Sequence, residues 1–149
     1  MRIFIDADAC PVKEETLKVA DRYDLEVFIV SNGGMRPSRD PLVKTITVAA
    51  GPDVADDWIA DNITANDIVV TQDIPLAART LESDAHAVGP SGKIFNQDTI
   101  GMALAMRDLN QQIREANQSP PRHRSFSGND RSNFLQALDK LIVTNRKKS

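Results

Sequence analysis

The stretch Ile3-Phe4-Ile5-Asp6-Ala7-Asp8-Ala9-Cys10-Pro11-Val12-Lys13 decides the reading of the whole chain. A short apolar run ends in two carboxylates one residue apart, and a proline follows where a helix would start. A continuous apolar run of this length suits a parallel strand buried on both faces. Pro11 suits the first helical position, where its missing N–H is no loss. Asp6 and Asp8 are thereby placed in a strand-to-helix turn, at the carboxyl end of a strand. Open α/β sheets put their ligands there. Carboxylates this close repel each other, and a divalent cation relieves the repulsion.

Outward from that turn, helix and strand signals alternate. A helix is expected from Pro11 to Tyr23 and a strand from Leu25 to Ser31. The irregular loop Asn32 to Pro41 holds Arg36 and Arg39 and is long enough to be functional. A third strand follows over Val43 to Ala49. Gly51-Pro52-Asp53 stops it and caps a helix over Val54 to Asn62. A fourth strand, Ile68 to Thr71, runs straight into Gln72-Asp73, and Ile74-Pro75 opens a helix to about Glu82. Ala85 to Val88 is a short fifth strand ending in Gly89-Pro90-Ser91-Gly92-Lys93. A long helix is expected over Gln97 to Ala116, then a polar linker to Asn129. The last helix, Arg131 to Thr144, is amphipathic through Phe134, Leu135, Leu138, Leu141 and Ile142.

The order βαββαβαβα predicts a three-layer α/β/α sandwich on a mainly parallel five-stranded sheet. All strand-to-helix loops of such a sheet open on one edge. Asp6, Asp8, Arg36, Arg39, Asp56, Asp57, Asp73 and Lys93, scattered over ninety residues of chain, are therefore expected to converge there. If the first and fourth strands are neighbours, Asp6, Asp8 and Asp73 meet at the point where the strand order reverses.

At 149 residues the chain is expected to form one domain, with residues 117–149 a basic linker and a helix packed on it. Aromatic residues make up only 5%, which argues against rows of base-stacking rings. The single cysteine excludes an internal disulfide framework and a Cys-rich zinc site. The first strand starts two residues after Met1, which leaves no room for a signal peptide, and no run of about 18 apolar residues suggests a membrane span. A cytoplasmic location is the expectation. The net charge of −3 hides an asymmetry: residues 1–113 carry 10 basic and 18 acidic side chains (−8), residues 114–149 carry 8 and 3 (+5). An acidic body with a basic C-terminal segment suits a metal site whose polyanionic substrate is held by Arg122, Arg124 and Arg131.

Carboxylates without a histidine or cysteine set are hard oxygen donors, suited to Mg²⁺ or Mn²⁺ rather than zinc. Such ions activate water and neutralise charge developing on a phosphodiester. Each acid also has a structural role open to it. Asp73 can cap the helix that Pro75 begins. Asp56 and Asp57 can serve the helix dipole, and Asp53 with Asp56 has capping-box spacing. Asp56 is preferred as a ligand because Asp57 shares its face with Val54 and Trp58, which are expected to pack inward. Cys10 is expected to pack or cap, since neighbouring carboxylates oppose a thiolate. His86 and His123 have no metal-ligand spacing to another donor.

Three segments carry a resemblance: Asp6-Ala7-Asp8-Ala9-Cys10-Pro11-Val12-Lys13, Ala55-Asp56-Asp57-Trp58-Ile59-Ala60 and Val70-Thr71-Gln72-Asp73-Ile74-Pro75-Leu76-Ala77. Together they resemble the YaiI/YqxD family of uncharacterised bacterial proteins, over most of the chain and including Arg131 to Phe134. That family is similar to PIN-like nuclease domains. The resemblance implies a PIN-like fold with an acidic cluster on Asp6, Asp56 and Asp73, and Asp8 beside it. It also implies a fourth acid, for which Asp98 is the nearest candidate and Asn96 another.

The leading reading is a Mg- or Mn-dependent nuclease acting on single-stranded RNA. A haloacid-dehalogenase-like phosphatase would use Asp6 as nucleophile. Against it, no second acid follows Asp73, and no suitably isolated lysine precedes it. A non-catalytic nucleic-acid or nucleotide-binding module is the third reading.

Overall fold

The computed structural model describes residues 1–6, 12–33, 40–49, 54–98, 100–102, 104–106 and 128–146. Its strands are β1 (Arg2–Asp6), β2 (Glu26–Ser31), β3 (Val43–Thr47), β4 (Ile68–Val70), β5 (His86–Val88) and β6 (Ile94–Phe95). The helices are α1 (Lys13–Arg22), α2 (Val54–Asn62), α3 (Ile74–Glu82), the helical residues within 97–106 (α4), and α5 (Gly128–Arg146). Asp8, Cys10, Arg36, Arg39, Asp53, Arg122, His123 and Arg124 lie outside the described residues.

The sheet has the order β3-β2-β1-β4-β5-β6. Every pairing from β3 through β5 is parallel, and β6 joins the edge antiparallel. The expected five strands are thus present and a sixth is added. Glycine and proline in 89–92 signal a turn, and the turn returns the chain as a two-residue strand too short to show periodicity. β1 is central, flanked by β2 and β4, so the strand order does reverse beside it.

Alternation along each strand divides the core. Ile3, Ile5, Val27, Ile29, Ile68, Val70 and Val88 meet α1 and α5 through Val19, Phe134, Leu138, Leu141 and Ile142. Phe4, Val30 and Val69 meet α2 and α3 through Ala55, Ile59 and Leu76. Ala87 and Phe95 extend this second core to Leu81 and Ile100. Phe134 and Leu138 are fully buried, and such side chains contribute about 1.5–3 kcal/mol each. α5 begins at Gly128, earlier than expected, and α1 begins at Lys13, after Pro11 rather than on it. Val12 holds the cap position of α1 without a side-chain cap, since valine has no polar atom to accept with, and its side chain is instead buried in the core.

α1 and α3 stop in the same way. Leu25 N donates to Ala20 O (3.0 Å) and Ala85 N to Thr80 O (3.2 Å), with left-handed Asp24 (φ 55°) and Asp84 (φ 59°) between helix and strand. This is the Schellman closure, with Asp, one of the few residues that tolerates that conformation, in the place glycine usually holds.

At the amino edge of the sheet Arg2 and Asp67 form a network that sequence reading did not anticipate. Asp67, nearly fully buried, accepts from Arg2 N (2.9 Å), Arg2 Nη2 (2.8 Å), Thr64 N (2.8 Å) and Thr64 Oγ1 (3.0 Å). The guanidinium also lies 5.1 Å from the Phe4 ring centre and 5.6 Å from that of Phe28. It ties the start of β1 to the turn before β4, setting the register of the two strands that carry the site. Removing one member leaves the other charge buried and under-paired, which costs about 3 kcal/mol. Arg2→Ala should therefore lower the melting temperature by roughly 6–12 °C, and a shift under 2 °C by calorimetry would show the network to be dispensable.

Tyr23 Oη donates to Asp139 Oδ1 at 2.5 Å, and Arg22 Nη1 reaches the same oxygen at 3.4 Å. The bond to Asp139, then desolvation and the carboxylate's charge, raise the Tyr23 phenol above its ordinary value of 10.0. A raised folded-state value means the folded protein holds this proton more tightly. The stabilisation is fully present below the ordinary value and is lost as pH rises through the folded one. Denaturant melts of wild type and Tyr23→Phe should differ at neutral pH, and the gap should shrink as pH rises through the phenol's raised value. A gap that stays constant would refute the linkage.

Candidate active site at the carboxyl ends of β1 and β4

β1 pairs with β4 through Ile3↔Ile68 to Ile5↔Val70. Asp6 and Thr71 are the next residues of the two strands, on the face that carries Phe4 and Val69. Asp6 is 7% exposed, and the Thr71 hydroxyl donates to its Oδ2 at 3.5 Å, a long contact. Thr71 Oγ1 also accepts from Asp73 N at 3.0 Å. Asp73 then caps α3, its Oδ1 accepting from Leu76 N at 2.8 Å, with Pro75 in the first turn. One buried hydroxyl thus contacts both acids, the Asp6 carboxylate across the strands and Asp73 through its backbone N–H.

Asp73 therefore does cap its helix, as one of its two readings held, and the cap uses only one carboxylate oxygen. Thr71 was not singled out from sequence. Its signal was there, since Thr-x-Asp before a helix allows the hydroxyl to accept from the N–H two residues on.

The remaining expected residues divide. Asp56 is half-buried and Asp57 exposed in the first turn of α2. The buried residues of α2 are Ala55 and Ile59, and Trp58 packs inward as expected, its ring centre 6.0 Å from that of Phe4 and 6.3 Å from that of Phe28. Asp57 Oδ1 instead accepts from Arg79 Nη1 of α3 at 2.7 Å. That bond foremost, with the charges of Asp57, Asp61 and Asp56, raises the arginine further above its ordinary range. Asp57 thus has its own cation. Asp98 is exposed at the start of α4. Lys93 is exposed in the β5–β6 turn, its Nζ 5.5 Å from the Phe95 ring centre. Arg131 pairs with Glu15 in the first turn of α1, which occupies its charge structurally. Glu15 Oε2 is buried without a hydrogen bond among the described residues.

Among the described residues no three of His, Cys, Asp and Glu stand close enough to hold a metal ion. What the fold does bring together there is Asp6, Thr71 and Asp73, and Asp8 follows Asp6 by two positions outside the described residues. The donors are all oxygens, the type that Mg²⁺ and Mn²⁺ take.

A family model described as "Uncharacterized BCR, YaiI/YqxD family" matches residues 4–144. The chain belongs to this family. A UPF0178 protein of Parvibaculum lavamentivorans is 57% identical over 146 residues, 98% of this chain and 96% of its own length. Similar proteins of Mesorhizobium japonicum and Agrobacterium fabrum are each 54% identical over 140 residues, 94% of this chain, covering 90% and 92% of their own lengths. No solved structure gives a significant match. No described helix is long and apolar enough to cross a membrane. The family resemblance read from the three motif segments is thus correct.

The coupling through Thr71 separates structure from chemistry at Asp73. Asp73→Asn keeps an oxygen for Leu76 N and should melt within about 0.5 kcal/mol of wild type, whereas Asp73→Ala should lose about 1 kcal/mol. Thr71→Val should lose about 1–2 kcal/mol by leaving Asp73 N unpaired. Equal stabilities for Asp73→Asn and Asp73→Ala in urea melts would remove the capping role.

Proposed function

We propose that the protein is a divalent-metal-dependent nuclease hydrolysing phosphodiester bonds, acting on single-stranded RNA in the bacterial cytoplasm, on a single PIN-like three-layer α/β/α domain. The observation that carries the reading is the placement of Asp6 and Asp73 at adjoining strand ends, beside the reversal in strand order, with Thr71 between them. Both acids follow strands and not helices, so their position is a consequence of the parallel sheet. Ligands of such sheets enter at this point.

In this reading Asp6 and Asp73 hold Mg²⁺ or Mn²⁺, with Asp8 and Asp56 completing the acidic set. The ion supplies activation of water and neutralisation of phosphate charge. The chain's own contribution is placement. The Thr71 hydroxyl contacts Asp6, and the α3 cap engages Asp73 Oδ1. The first turn of α3 adds its N-terminal dipole, which favours an anionic group nearby.

Asp6→Asn should weaken Mn²⁺ binding by at least about 100-fold, more than outer partners of a metal ligand command, and abolish RNA cleavage with the melting curve retained. Calorimetry with Mn²⁺ checks the first point and labelled RNA, DNA and p-nitrophenyl phosphate, with and without Mn²⁺, the second. Unchanged Mn²⁺ affinity in the variant would refute the site. Turnover of the phosphomonoester alone would replace the nuclease by a phosphatase, and binding of RNA without turnover would replace it by a binding module.

A further inference from the structure

A cleft of about 500 Å³ lies between the β5–β6 turn and α5, lined by Ser91, Gly92, Lys93, Asn133, Gln136 and Lys140 among others. On α5 the residues Asn133, Gln136 and Lys140 recur at helical spacing opposite the buried Phe134, Leu138 and Leu141. Its other wall is rigid. Gly92 has φ +92°, and a Cβ there would stand 2.7 Å from the Asn133 backbone, so the turn is seated directly on the helix. Gly92 N to Gly89 O (2.9 Å) and Gly89 N to Lys93 O (2.8 Å) close the turn on itself.

Beside the apolar Ile94 and Ala137, the lining offers two lysine ammonium groups, two side-chain amides and a hydroxyl, and none of the described lining residues is a carboxylate. This stands out in a chain whose first 113 residues carry net charge −8. The turn that forms one wall of the cleft adjoins β4 at its carboxyl end, with α5 on the sheet face opposite Asp6 and Thr71. Thr71 N donates to Val88 O at 3.1 Å, and Gly89 adjoins the Thr71 carbonyl. From β1 to β5 is two inter-strand spacings, roughly 10 Å.

We infer that this cleft is a phosphate subsite, in which Lys93 and Lys140 hold a backbone phosphate of a single-stranded RNA beyond the acidic edge of β1 and β4. The inference rests on the nuclease reading for the identity of the strand, while its test needs no metal and no cleavage. Arg131, paired with Glu15, gives way to Lys140 as the cation that α5 contributes.

The test measures binding of a short 5′-labelled RNA by fluorescence anisotropy in EDTA, across a series of KCl concentrations. Wild type, Lys93→Gln/Lys140→Gln and Lys93→Arg/Lys140→Arg are compared. Each phosphate contact removed should flatten the log–log salt slope by about 0.7, so the Gln pair should lose about 1.4 and the Arg pair should retain the wild-type slope. Both lysines are exposed, so the melting temperature should stay put. An unchanged slope in the Gln pair overturns the subsite, as does wild type that fails to bind RNA. Inorganic phosphate is the second probe. If it shifts the amide signals of Lys93 and Lys140 while the RNA slope is unaffected by the Gln pair, the cleft takes a small phosphate and the strand is rejected. If RNA binding depends on the lysines but neither Mn²⁺ binding nor hydrolysis is found, the nuclease reading fails and the subsite stands.

Discussion

A strand buried on both faces and paired in parallel on both sides is the constraint from which this molecule follows. β1 has neighbours β2 and β4 that run its way, and helices cover it above and below. Parallel neighbours cannot be joined by tight turns, so the chain must cross over each time and re-enter at the same edge. Every crossover then starts at the opposite, carboxyl edge. The clustering of Asp6, Thr71 and Asp73 is a result of that geometry, and 65 residues of sequence separation between Asp6 and Thr71 become a contact across one strand spacing.

The two edges of the sheet are built for different purposes. At the amino edge Asp67 is saturated with donors and Arg2 spends its charge on it. At the carboxyl edge the Thr71 hydroxyl contacts Asp6 and a helix cap engages Asp73, while Arg79 pairs with Asp57 and Arg131 with Glu15. Buried charge that is fully paired is structural.

α5 closes the molecule. Arg131 meets Glu15 in the first turn of α1, while Asp139 meets Arg22 and Tyr23 at its end, so the two helices lie side by side and run the same way. Its apolar residues complete the core under β4 and β5. Its polar residues form one wall of the cleft beside Lys93. A helix that reads as an amphipathic C-terminal appendage thereby belongs to the core and also walls the cleft.

Local pattern was enough to place α2 from Val54 to Asn62, the Asp73 cap and the class of sheet, because apolar runs, prolines and capping residues act within a few positions of themselves. The motif segments were enough to assign the family. What depended on three dimensions was of another kind. Arg2 and Asp67 lie 65 residues apart and carry no mutual signal along the chain. β6 is two residues long, below the reach of any periodicity. Which face of α2 turns inward depended on where the neighbouring strands put Phe4 and Val30. Lys140 carries no signal of its own along the chain; the Gly92 turn, seated against Asn133, makes its helix face one side of a cleft. Sequence by itself determined the elements and the acids that could matter. Tertiary structure decided which of them meet, since contact across strands is set by the order of the sheet, and that order is chosen by the packing of the whole chain.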